Sequence, residues 1–228
     1  MISQNTKTDL IKYLQIPEDK ITVVYNGINA VYRKKVIKKN VFKIKEKYNL
    51  PDRYILFVGT IEPRKNIINL VKAFECIAEK TIALVIVGKK GWMYQPILRY
   101  IENSPKRNKI FMLENVSLSQ DLATIYQLSS LFIFPSLYEG FGLPVIEAMA
   151  SQIPVITSNI SSLPEIAKDG VYYIEPENID SISKKIDEVL LLDNSVKITK
   201  AELISQKYNW ENAAIQTYRI YQNILARR

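Results

Sequence analysis

Apolar residues along this chain follow two rhythms. Short unbroken runs alternate with stretches in which apolar side chains recur every three or four positions. The runs are Tyr54–Val58 (YILFV), Ile82–Val87 (IALVIV), Lys109–Leu113, Leu131–Phe134 (LFIF), Ile153–Thr157 (IPVIT) and Val171–Ile174. Runs of this length and composition predict strands buried on both faces. Between them, Ile67, Leu70, Val71, Phe74 and Ile77 predict a helix over Asn66–Glu79. Further helices are expected at Gln95–Asn103, Ser119–Leu128 with Ser119 as N-cap, and Leu143–Ala150. Three more follow at Ile179–Leu192, Lys197–Lys207 and Asn209–Leu225. In the last, Trp210, Ala214, Tyr218, Tyr221 and Leu225 share one stripe, with Asn209 as N-cap. Strands apolar on both faces and separated by helices predict an α/β fold, a Rossmann-like parallel sheet with helices on both faces.

The first residues do not fit that alternation. Ser3–Leu14 reads as a helix and Ile21–Tyr25 (ITVVY) as a strand running into Asn26-Gly27. One strand and one helix cannot bury their apolar faces alone, so they are expected to be the tail of a preceding domain. The expected organisation is a remnant and hinge at 1–32, a basic linker and helix at 33–52, the main domain at 53–207, and a final helix at 208–228.

Composition narrows the chemistry. The 228 residues are 47% apolar and 24% charged, which is globular composition. The single Cys76 excludes an intramolecular disulfide framework and a cysteine zinc site. The chain has no histidine, so it holds no imidazole base, no Ser-His or Cys-His dyad and no histidine metal ligand. Chemistry must rest on carboxylates, Arg, Lys, hydroxyls and backbone amides. The net charge is +8, and Arg33–Lys47 alone holds eight basic residues and one acid. That run reads either as a solvated linker and Lys-rich helix face or as a phosphate or membrane-surface patch. No apolar run approaches the roughly 20 residues that span a bilayer. Met1 leads directly into polar residues, so no signal peptide is expected. The expectation is a cytoplasmic protein, with peripheral contact to the anionic inner face of the membrane as the sharper reading of the basic run.

The most informative segment is Phe134–Ser158, FPSLYEGFGLPVIEAMASQIPVITS. A buried strand ends at Phe134, a loop carries Glu139, Gly140, Phe141 and Gly142, and a helix starts near Leu143 with Pro144 in its first turn. In an open parallel sheet, ligands bind at the carboxyl ends of strands, where this loop is placed. Unpaired amides of Phe141, Gly142 and Leu143 at a helix N-terminus form a phosphate cradle. Glu147 lies eight residues after Glu139, and helical side chains tilt toward the N-terminus, so it can reach back toward the same site. A carboxylate suits paired sugar hydroxyls better than phosphate. A second strand end, Gly59 to Asn66, brings Arg64 and Lys65 where a diphosphate can be held.

Taken together, these motifs resemble the retaining glycosyltransferases of family four, with the GT-B fold. Glu139 and Glu147 match their E-x7-E signature, and VGTIEPRKN (58–66) their diphosphate-binding strand, loop and helix. PVITSNISSLPEI (154–166), ITVVYNGI (21–28) and YNWENAAIQTYRIY (208–221) resemble the segment after the second Glu, the hinge strand and the C-terminal crossover helix. GTIEPRKN and GKKGW look most like the mannosyltransferase-like branch. The resemblance implies that Arg64 and Lys65 neutralise the leaving diphosphate in place of a metal, so that no metal or other cofactor is needed. It implies that Gly59, Gly140, Phe141, Gly142 and Leu143 line the donor, that Glu139 orients the donor sugar, that Glu147 accepts from ribose hydroxyls, and that the backbone around Val116 meets the nucleobase. The expected partners are a nucleotide-sugar donor, a glycan or lipid-linked acceptor as in polysaccharide biosynthesis, and a separate polypeptide supplying the N-terminal domain. Gln152 departs from the family's usual glycine beside Pro154. The larger departure is that most of the N-terminal domain, which commonly contributes a histidine, precedes Met1 in the family's layout.

Other classes stay open at this level. A non-catalytic or regulatory donor-binding module would keep the same motifs. A glycosidase would use Glu139 and Glu147 as a pair roughly 5–9.5 Å apart, but leaves Arg64 and Lys65 without a task. Nucleic acid is not an expected partner, because no aromatic platforms interleave the basic run.

Overall fold

Each short apolar run becomes a strand, and the six strands lie parallel in one sheet. The structure, a computed structural model, describes residues 1–226, apart from the side chains of residues 38–40. The strands are β1 (Tyr54–Val58), β2 (Ala83–Val87), β3 (Ile110–Leu113), β4 (Leu131–Phe134), β5 (Val155–Ser158) and β6 (Tyr172–Ile174). Every residue of β1, β2, β4 and β5 is buried, whereas the edge strands β3 and β6 are partly exposed. This is why the central strands read as continuous apolar runs rather than as alternation.

The order across the sheet is β3-β2-β1-β4-β5-β6. The chain winds outward one way from β1, then crosses to β4 and winds the other way. Loops leaving β1 and β4 therefore diverge, and a crevice opens between them at the carboxyl edge. Beneath that crevice Phe57 and Phe134 stack at 5.8 Å, and Phe132 and Phe134 at 6.0 Å. Burying each such ring contributes roughly 1.5–3 kcal/mol.

Helices cover both faces. They are α1 (Gln4–Leu14), α2 (Lys38–Tyr48), α3 (Ile67–Cys76), α4 (Gln95–Glu102), α5 (Ser119–Leu128), α6 (Leu143–Ala150), α7 (Leu163–Ala167), α8 (Ile179–Leu191), α9 (Ser195–Ser205) and α10 (Trp210–Leu225). Contacts sort most of them into two groups: α3 with α4 and α8, and α6 with α5, α7 and α9, with α2 packed on α5.

Three local expectations are corrected. Ile21–Tyr25 is extended but forms no strand. The residues have strand composition, yet their backbone partners among the described residues lie in turns and the chain's first residue: Ile21 N donates to Glu18 O, Met1 N to Thr22 O and Val24 N to Met1 O. Ser119 is the first helical residue of α5 and not its N-cap; Leu118 holds that place with extended backbone and no side-chain bond. The helix expected over Lys197–Lys207 begins and ends two residues earlier, as α9. The stripe on α10 faces outward, with Trp210, Tyr218, Tyr221 and Leu225 all more than half exposed. Asn209 does cap α10, accepting from Asn212 N at 2.8 Å.

Candidate active site

The loop after β1 turns sharply. A 3-10 turn at Pro63–Lys65 ends at Asn66, whose φ of 59° swings the chain into α3. The Asn66 amide donates to Pro135 O at 3.1 Å and Pro176 O at 2.6 Å. Leu137 N donates to Arg64 O at 2.9 Å. The β1 and β4 loops are thus one hydrogen-bonded unit, although more than sixty residues separate them in sequence.

Glu139 sits where they meet. Lys65 Nζ lies 2.5 Å from one carboxylate oxygen and Arg64 Nη1 3.0 Å from the other. Ser136 Oγ donates to the first oxygen at 2.7 Å. Lys65 and Glu139 are both buried, and the ammonium also stands 4.9 Å over the Phe134 ring. Arg64 is more open and bonds Glu62 at 2.6 Å and Tyr138 O at 2.7 Å. Burial works against the charge of the Arg64 guanidinium, and the facing Glu139 and Glu62 carboxylates outweigh it, holding its pKa above the usual value. Two cations thus meet two carboxylates, and the cluster is formally neutral.

The backbone around Glu139 is held from below. Ser162 Oγ donates to Glu139 O at 2.9 Å and Phe141 O at 2.8 Å, and Glu139 N donates to Ser161 Oγ at 3.0 Å. Gly142 has φ 108°, and a Cβ there would stand 2.7 Å from Leu163 Cδ2. Only glycine fits that conformation and that space. Pro144 in the first turn then starts α6. Among the described residues, the amides of Gly140, Phe141, Gly142 and Leu143 have no acceptor in the protein. They remain available at a helix N-terminus, where a negative group is favoured.

A cleft of about 580 Å³ brings Arg64, Glu139, Gly140, Phe141, Gly142 and Leu143 together. Lys65 lies beneath it through its pair with Glu139. The Phe141 side chain is buried against Tyr25 and Tyr208, at 6.1 and 5.8 Å, so only its backbone serves the cleft. Gly59 follows β1, where its carbonyl leaves no room for a side chain at Gly88. Val116 lies past the end of β3 at the sheet's edge. Glu147 lies behind the residues that line this cleft: Tyr126, whose hydroxyl also approaches Pro144 O, donates to it at 3.1 Å, and Tyr32 faces it too. Burial pushes its carboxyl up to about 6, against the lowering effect of the two phenols.

Several residues here were not singled out from sequence. Ser136, Ser161 and Ser162 organise the Glu139 loop, and Tyr126 orients Glu147. The hydroxyls in PSLYEG and SNISSLPE were visible, but nothing in their spacing shows which backbone they reach. The helix α1 also rests on the site: Thr6 donates to Gly140 O at 3.1 Å, and Glu165 accepts from Gln4 N and Asn5 N.

A profile of the family described as "Glycosyl transferases group 1" matches residues 38–210. The chain belongs to the glycosyl transferases group 1 family. Among similar proteins, the O-antigen chain mannosyltransferase B of Escherichia coli is 31% identical over 227 residues, covering 97% of this chain and 59% of that protein. The crystal structure of a glycosyltransferase from Rickettsia africae superposes with a TM-score of 0.86 at 26% identity, covering 98% of this chain and 62% of the other. Anabaena HepE, in complex with UDP and glucose, has a TM-score of 0.84 at 18% identity, over 97% of this chain and 62% of HepE. The chain therefore spans about 59% of the length of the curated relative it matches, and its sheet is one domain of the GT-B fold. No helix of the described residues is long and apolar enough to cross a membrane.

Proposed function

We propose that this chain is the donor-binding part of a retaining hexosyltransferase. It would take a nucleotide-sugar such as GDP-mannose or a UDP-sugar and serve a glycan or lipid-linked acceptor. The observation that carries this reading is the convergence of Arg64, Lys65 and the free amides of 141–143 on one cleft at the sheet's switch point. A diphosphate is the group that suits cations and helix-terminal amides together.

In the reaction, the bond between the anomeric carbon and the diphosphate oxygen breaks, and its electron pair leaves with the diphosphate. A new bond to the acceptor oxygen forms on the same face, and the acceptor's proton passes to the departing diphosphate oxygen. Arg64 stabilises the charge that develops on the leaving group, and so do the amides of Gly142 and Leu143. Lys65 reaches it through its free ammonium protons. Glu139 orients the sugar and Glu147 accepts from the ribose hydroxyls, while the backbone at Val116 borders the nucleobase. Residues 53–207 form the donor domain in this reading, 1–32 the end of an N-terminal domain with its hinge, 33–52 a basic helix region and 208–228 a crossover helix.

One observation favours a second reading, a non-catalytic or regulatory nucleotide-sugar module, or a subunit of a split enzyme. Both Glu139 oxygens are already held by cations, so the carboxylate must exchange partners before it can receive sugar hydroxyls. Thermal shift with UDP, GDP and ADP tests donor binding in either case. At least one should stabilise the wild-type chain, and Arg64→Ala and Glu147→Ala should lose that response. No response to any nucleotide, or equal responses in the variants, would overturn the proposal. Sugar transfer to an added acceptor then separates enzyme from module.

A further inference from the structure

The basic run that the donor site leaves unexplained folds into a defined surface. Arg33 is turned inward, where its guanidinium donates to Ser205 O and Tyr208 O. Lys45 pairs with Asp52, and Lys47 with Asp121. Lys34, Lys35 and Lys43 have no carboxylate within pairing distance among the described residues, and all three are exposed. Between them two large apolar side chains face outward: Ile37 is 68% exposed and Phe42 73%. The opposite side of α2 buries Ile44 against α5, so the outward face is fixed in place. Beside it a groove of about 540 Å³ lies between α2 and α5, lined by Lys34, Lys35, Ile37 and Lys43 on one side and by Asp121 and Thr124 on the other. It shares no residue with the donor cleft. The sequence adds Lys38 and Lys39 to the same helix, and one acid, Glu46, is exposed on it.

We propose that this face of α2 rests on an anionic lipid bilayer. Lys34, Lys35 and Lys43 meet lipid phosphates, while Ile37 and Phe42 enter the headgroup layer. Charge complementarity alone would also suit nucleic acid. The aliphatic Ile37 and the lone ring of Phe42 offer no succession of stacking platforms, whereas basic residues flanking exposed apolar ones suit a membrane interface.

The test is co-sedimentation of the full chain with vesicles of phosphatidylglycerol and phosphatidylcholine in equal parts, against pure phosphatidylcholine vesicles. Binding should need the anionic lipid and weaken as salt rises. Each lysine near the surface contributes a factor of about five, so a Lys34→Glu, Lys35→Glu, Lys43→Glu variant should bind at least about a hundredfold more weakly. Phe42→Ser should weaken binding without altering thermal stability. A control reversing three exposed lysines elsewhere, Lys12, Lys184 and Lys207, carries the same net charge and should retain most of the binding. Absence of binding to anionic vesicles, an equal loss in the control, or tighter binding to duplex DNA than to vesicles would each overturn the proposal. Nucleotide binding at the donor cleft should be unchanged in the α2 variants.

Discussion

Lys65 and Glu139 lie 74 positions apart and meet at 2.5 Å, both buried beneath the loops that leave β1 and β4. Their pair is the joint between the two halves of the sheet's carboxyl edge. It carries a consequence for stability: a buried ion left without its partner is costly, whereas replacing both partners is not.

Glu139→Leu, which leaves the buried Lys65 without a carboxylate, should therefore destabilise the chain by about 3 kcal/mol, and Lys65→Met by less, because Glu139 keeps Arg64. The double variant should lose much less than the sum, because no buried charge is left alone. Urea unfolding of the four species gives the cycle. Additive losses would show that the pair is not coupled.

Glu147 makes stability depend on pH. Its carboxyl is raised from 4.5 to about 6 by burial, so the folded state binds its proton more tightly than the unfolded state. The contribution is fully present below about pH 4.5 and is lost as pH rises through about 6, a change of about 2 kcal/mol. Glu147→Gln should flatten this segment of the stability profile in urea melts taken across that range. A profile of unchanged slope in Glu147→Gln would contradict the assignment.

Nucleotide affinity should move the opposite way. An ionised Glu147 accepts from ribose hydroxyls better than a protonated one, so affinity should rise as pH passes upward through about 6. Titration calorimetry at either end of that interval measures it, and Glu147→Gln should remove the dependence.

Two neighbouring glycines should respond differently. Gly142→Ala puts a Cβ 2.7 Å from Leu163 Cδ2 at a φ of 108°, and should cost about 1–3 kcal/mol together with nucleotide affinity. At Gly140 the nearest atom would be Ile2 Cδ1 at 3.4 Å, an ordinary contact. Gly140→Ala should leave the melting temperature nearly unchanged.

The six strands were legible because a parallel strand buried on both faces must be apolar at every position. Ile21–Tyr25 has the same composition and still forms no strand, since a strand needs a neighbour and composition does not supply one. The site was legible as two strand ends bearing glycine, cations and carboxylates. What could not be read was who pairs with whom. Arg64 and Lys65 looked like free cations for a phosphate, but folding brings Glu62 and Glu139 onto them. Glu147 was expected to reach back toward the site of Glu139, and its spacing gave no sign that Tyr126 would donate to it. Spacing along one helix predicts a direction, and the aromatic residues of α5 and of the 3-10 turn at Ala30–Arg33 decide what meets it.

The central claim is that a diphosphate sits between the two loops. A crystal structure of this chain with the nucleoside diphosphate that most raises its melting temperature tests it directly. The terminal phosphate should lie within hydrogen-bond distance of the Arg64 guanidinium and of the Gly142 and Leu143 amides. A nucleotide ordered with its phosphates elsewhere, for instance along the lysines of α2, would contradict it.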